Sequence, residues 1–309
     1  PWAIAQSTAM EVYNILQTNC ATAYCHGPGH SSGLDLTGSA TDVYNTLVNA
    51  TPNNTYAAAA GHKLVYPGDA YKSSLFRKIN NGLAPDVALH MNEGDAMPFN
   101  GPALDDKDIE MVRQWILFGA PATGEVVDPN LIADYYDNFG TPSMTVPPAK
   151  PDPSEGFQVH FGPFFLEPGG EAEYFTKFDT QLPEDLEVKR IDTYMGDYSH
   201  HFVLYRYWNP NLSSQPYGFR PVDEADFNYV DFVNVNQFSD SLILPGGTAF
   251  DWSQNTVLDL NSHYINYSST NVAACEVYLN VYTQPAGTAA QIMETDLGIN
   301  GGIYIPNNG

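Results

Sequence analysis

ACEVYLNVYT, residues 274–283, places Cys275, Val277, Leu279 and Val281 at alternate positions. Neighbouring side chains of a strand leave by opposite faces, so these four share one face, and their apolar character makes it the inward one. Three further runs keep the same period: EAEYFTKF (171–178), HHFVLYRYW (200–208) and TVLDLNSHYIN (256–266). Pro, Gly, Asn and Asp punctuate the gaps between them. Many short strands with no convincing helix among them predict an all-β antiparallel sandwich, jelly-roll-like, over residues 156–286. Cys275 faces its core and is expected to be an inert buried thiol.

Upstream the period changes. STAMEVYNILQTNC (7–20) has a capping residue at Ser7, with Met10, Val12, Tyr13 and Leu16 at helical spacing. LDDKDIEMVRQWILFGAP (104–121) begins with an acidic turn and ends at Gly119 and Pro121. Between those ends Ile109, Val112 and Ile116 form one stripe, flanked by Met111 and Trp115. Residues 1–122 therefore read as a small all-α domain. A Pro-rich linker follows over 123–155, whose GTPSMTVPPAKPDPSEG stretch (140–156) is expected to be semi-extended and exposed. The tail, 287–309, reads as loop with one short strand from Ile303 to Ile305.

A chain of 309 residues is long enough for two cores. Lys and Arg number 12 against 36 Asp and Glu, a net charge of −24. Such a surface repels phosphate backbones and anionic lipid, which argues against nucleic acid and membrane surfaces as partners. It suits solubility outside a cell, metal cations or a basic redox partner. No run approaches the roughly 20 apolar residues of a membrane span. Beginning at Pro1 without a signal-like segment, the chain is expected to be a processed product.

NCATAYCHGPGH, residues 19–30, concentrates chemistry: Cys20, Cys25 and His26 lie within seven positions. A disulfide turn, a zinc clasp and a haem attachment site all use such residues. The usual haem c signal is C-x-x-C-H, and here four residues separate the cysteines. Covalent haem needs two thiols to add across its vinyl groups and an imidazole directly after the second. A sixth ligand comes from elsewhere, and a Met thioether there raises the potential. Met97, in a Pro/Gly-rich loop ahead of the last predicted helix, is the candidate, with His90 as its rival. Zinc lacks a second ligand pair at finger-like spacing.

Residues 7–121 resemble a small c-type cytochrome domain. The matching features are a helix running into CATAYCHG, then GLDLTG, YPGDAYKSSLFRKI, MPFNGPALDDKDI and the closing RQWILFGAP. The resemblance implies one covalent haem c held by Cys20 and Cys25, with His26 as proximal and Met97 as distal iron ligand. It also implies a periplasmic, cell-surface or extracellular location, because haem is attached outside the cytoplasmic membrane. His30 and His62 are given no role.

A second constellation lies in the β region. GDYSHHFVLYRYW puts His200 and His201 side by side at the start of a strand, and LDLNSHYINYS puts His263 in another. Adjacent strand residues point apart, so both imidazoles can serve one metal only at a strand end or bulge. Three imidazoles with an open position suit copper or zinc. Residues 156–285 resemble the first, copper-binding half of the ascorbate-dependent type II copper monooxygenases, the peptidylglycine and dopamine hydroxylase family. The match rests on the HH pair, the ILPGGTAF hairpin and the L-x-x-H-Y-x-N strand. It implies that His200, His201 and His263 hold one electron-donating copper. The family's second copper needs a His-x-His pair, and the sequence has none. Met293 is read as packing, and His160, flanked by aromatics in FQVHFGPF, as structural.

Three functional classes follow. The protein is a haem c electron carrier serving a redox partner protein, or the electron-donor half of a copper-dependent monooxygenase. Alternatively it is a subunit of an extracellular assembly that self-associates through the sandwich and tail.

Overall fold

The structure, a computed structural model, describes residues 7–22, 24–144, 146–209, 215–224, 227, 229–295 and 302. The helices are α1 (Thr8–Asn19), α2 (Ala40–Leu47), α3 (Thr55–Ala59), α4 (Ser74–Ile79), α5 (Asp106–Leu117) and α6 (Pro129–Asp134). Ser7 caps α1, its side chain accepting from the Met10 amide at 3.2 Å, a contact worth about 1 kcal/mol. Ile109, Val112 and Ile116 of α5 are completely buried, as their spacing predicts.

The strands are β1 (Gly140–Thr141), β2 (Gly156–Leu166), β3 (Glu171–Asp179), β4 (Leu186–Met195), β5 (Ser199–Tyr207), β6 (Arg220–Pro221), β7 (Val230–Asn236), β8 (Asp240–Ile243), β9 (Thr248–Trp252), β10 (Val257–Ile265), β11 (Val272–Pro285) and β12 (Gln291–Ile292). They form two sheets. One holds seven strands in the order β1-β11-β4-β9-β12, with β2 added on β11 and β8 on β4; the other holds five, β6-β3-β10-β5-β7. Cys275, Val277, Leu279 and Val281 lie in the core as expected, and Cys275 is a free, buried thiol.

The fold departs from the expected one in two respects. The larger sheet is mixed, not purely antiparallel: β1 runs parallel to β11, and β12 parallel to β9. Nor is there a distinct all-α cytochrome domain; among the described residues strand accounts for 32% and all helical turns together, the six short α-helices included, for 21%. The reason lies in α5. Its polar residues Glu110, Arg113 and Gln114 look solvent-facing in the sequence, yet they are 0%, 6% and 1% exposed. Glu110 takes hydrogen bonds from Arg113, Gln114 and the Tyr136 hydroxyl, and Gln114 also donates to the Pro163 carbonyl of β2 at 2.9 Å. Both sides of α5 are thus buried, one among helices and the other against the sandwich.

The helices and the sandwich share further contacts. Phe118 packs edge-on against Phe219, and Lys72 donates to the Asp179 carbonyl at 2.8 Å. Gly68, at φ +83°, approaches so closely that an added Cβ would lie 2.2 Å from the Gly218 nitrogen. The tail strand expected at Ile303–Ile305 lies outside the described residues. Among the described residues no helix is long and apolar enough to cross a membrane.

Candidate functional site

The loop after α1 presents His26 through backbone bonds. The His26 amide donates to the Cys20 carbonyl at 3.1 Å, the Leu36 amide to the His26 carbonyl at 2.8 Å, and Gln17 to the Leu36 carbonyl at 2.6 Å. Ser32 Oγ lies 3.2 Å from His26 Nδ1, which occupies that nitrogen and leaves Nε2 for another partner. Burial lowers the imidazole below its ordinary value, which favours the neutral ring with a lone pair to offer.

Met97 is carried by a loop that α4 ties down. The Met97 amide donates to the Lys78 carbonyl, and Lys78 Nζ donates to the carbonyls of Glu93 and Asp95. Arg77 grips the buried Glu93 carboxylate with two nitrogens. Cys20, His26 and Met97 all line one cavity of about 520 Å³, whose wall is otherwise mostly apolar and includes Leu36, Leu47 and Ile79. Cys25 is half-buried beside it but not in the wall.

These features bear on the three readings of the cysteine pair. Both cysteines are free thiols. Burial pushes the Cys20 thiol up to about 11. His90 caps the turn Met91–Glu93, accepting from the Asn92 amide, and stacks on Tyr56 at 4.3 Å, away from the cavity.

The Glu93 clamp carries a pH signature. Burial pushes its carboxyl up, but the hydrogen bonds from Arg77 and the His90 amide, with the nearby charges of Arg77 and His62, together hold it below its ordinary 4.5. A depressed carboxyl contributes stability that is complete above its unfolded value and lost as pH falls through the folded one. The protection of amides 90–97, exchange being taken relative to its intrinsic rate at each pH, is therefore expected to fall on acidification below about pH 4.5. Glu93→Gln is expected to lower that protection at neutral pH and to flatten the response.

The second cluster is built by a bulge. On β10, His263 pairs with His201 of β5, but the next residue, Tyr264, pairs with Ser199. His200 is the extra residue, so both histidines leave by the same face. That is the irregularity which two adjacent ligands require. Ligand atoms of His200, His201 and His263 lie within 4.8 Å of one another. His200 Nδ1 and His201 Nδ1 are 3.3 Å apart, matching the roughly 3.3 Å between two donors about 2.0–2.1 Å from a tetrahedral ion. Two nitrogen lone pairs that close repel unless a proton or a cation sits between them.

Two carboxylates complete the cluster. Glu171 Oε1 is 2.8 Å from His263 Nε2, and Glu173 Oε1 is 3.3 Å from His201 Nε2. Each can accept the Nε2 proton and so turn Nδ1 into the ligating atom. Their place on one face of β3, in EAEYF, was the signal in the sequence. Removing such a partner typically costs 10–100-fold in metal affinity. Isothermal titration of Glu171→Ala with copper(II) is expected to show a loss in that range. Met293 packs against the core, as expected.

Compared with protein-family models and with curated proteins, the chain matches none.

Proposed function

We propose that the protein is an exported electron carrier with two centres. One is haem c, attached through Cys20 and Cys25 and ligated by His26 and Met97. The other is a single copper ion at His200, His201 and His263. One observation carries the reading: Met97, remote in sequence from Cys20 and His26, lines with them a single, mostly apolar cavity of about 520 Å³. Its volume lies in the range of cofactor pockets, about 300–1,000 Å³. Ser74 Oγ sits in the same wall, buried and without a hydrogen-bond partner, as fits a cavity built to receive a further group.

Haem bound there supplies a one-electron ferrous/ferric couple. The chain contributes a neutral imidazole, a thioether that raises the potential, and an apolar wall that restricts water. His26 and Met97 would both ligate the iron, so the group would carry charge and not activate oxygen. At the histidine cluster the donor set favours copper, since imidazole sites bind copper(II) more tightly than the other first-row divalent ions. The excess of acidic groups suits a basic redox partner protein. Covalent haem places the protein in the periplasm, on the cell surface or outside the cell.

Optical spectra test the reading. The oxidised protein is expected to show the weak far-red charge-transfer band of methionine-ligated low-spin haem, and Met97→Ala to abolish it while the Soret band remains. A protein without a Soret band, or a band indifferent to Met97, would overturn it.

A further inference from the structure

Where the helices meet the sandwich, a polar cluster lies apart from both centres. The Tyr71 hydroxyl, just ahead of α4, donates to His160 Nδ1 on β2 in a short hydrogen bond. His160 Nε2 lies 2.9 Å from Glu276 Oε2 on β11 and can donate to it. Tyr278 stacks on the imidazole with ring centres 4.0 Å apart and planes 6° apart, and its hydroxyl donates to the same carboxylate at 3.2 Å. Asp86 Oδ2 is 4.0 Å from His160 Nδ1. These groups line a cavity of about 290 Å³ together with Arg113, whose charge is already paired with Glu110.

We propose that Tyr71 is a redox-active tyrosine with His160 as its proton acceptor. Its oxidant is of the class of oxygen-derived radicals, which are strong enough to remove an electron from a phenol. The electron leaves with the oxidant while the phenolic O–H bond breaks and its proton moves to His160 Nδ1. A neutral phenoxyl radical and an imidazolium result. A small-molecule reductant of the thiol or enediol class, itself oxidised by one electron, returns the electron; the proton goes back from Nδ1, and the phenol is restored. The activity is that of a buried sink for oxidising equivalents, and it rests on neither the haem nor the copper reading.

The surroundings suit each half of the step. Burial pushes the Tyr71 phenol well above its ordinary value, so the proton leaves only together with the electron. Although burial opposes ionisation of Glu276, the hydrogen bond and charge of His160, the charge of Arg113 and the Tyr278 hydrogen bond together hold that carboxyl below its ordinary value. The new imidazolium is then flanked by Glu276 and Asp86 and lies flat on the face of Tyr278, an arrangement that favours a cation. Phe at position 71 would keep the ring and lose the reacting group.

Flash-generated ruthenium(III) polypyridyl, applied to the fully oxidised protein, supplies the one-electron oxidant for a test. Exposed tyrosines such as Tyr24 and Tyr267 are expected to give radicals that decay quickly in every variant. A long-lived phenoxyl population is expected in the wild type, falling by an order of magnitude in Tyr71→Phe and His160→Gln but persisting in Tyr278→Phe. Double-resonance spectroscopy of the wild type in deuterated water needs no substitution. It is expected to show an exchangeable deuteron coupled to the long-lived radical. Absence of that population, its survival in Tyr71→Phe, or a long-lived radical with no coupled deuteron would overturn the proposal.

Discussion

Replacing Asp259 with alanine is expected to destabilise the fold by about 3–5 kcal/mol. Asp259 lies on β10 and Arg220 on β6, and each is only about 2% exposed. One guanidinium nitrogen of Arg220 reaches both carboxylate oxygens at 2.8 Å, and the Tyr207 hydroxyl donates to one of them at 3.0 Å. Without the carboxylate, a positive charge remains buried beside Lys177 with no counter-charge. Replacing both partners, Asp259→Leu with Arg220→Leu, is expected to cost clearly less, because no unpaired charge is left behind. Urea unfolding of the two singles and the double closes the cycle. Additive losses would show that the pair does not act as a unit.

A second large effect is expected at the histidine cluster. His263 stands between the β5 histidines and the β3 glutamates, so His263→Ala removes a ligand and strands Glu171. Copper(II) affinity is expected to fall by well over the roughly 10–100-fold attached to a supporting carboxylate. The fold is expected to stay intact, because His263 projects from the outer face of its sheet and not into the core. Equal copper content in wild type and His263→Ala would remove copper from the account.

Local pattern made some of this legible. The alternation around Cys275 and the 3.6-residue spacing in α1 and α5 marked the elements and their inward faces. Two neighbouring histidines on one strand already demanded a bulge, and β5 has one at His200. What stayed hidden depends on contacts distant in sequence. Charged and amide groups such as Glu110, Arg113 and Gln114 are usually solvated; here they are buried because they satisfy one another, Tyr136 and the Pro163 carbonyl. No period in the chain pairs Tyr71 with His160, 89 residues away, or His160 with Glu276, 116 residues away. A lone histidine among aromatics reads as structural until its two ring nitrogens are assigned partners. The helical segment likewise looked self-contained, since nothing local reveals that its polar side would be covered by a sheet.

The proposed electron transfer requires haem bonded to the chain at Cys20 and Cys25. Extraction of the denatured native protein with acidified acetone tests that bond. The Soret absorbance is predicted to stay with the polypeptide in the wild type and to pass into the solvent when both cysteines are replaced by serine. Soret absorbance that leaves the wild-type chain, or that was never there, would contradict the account.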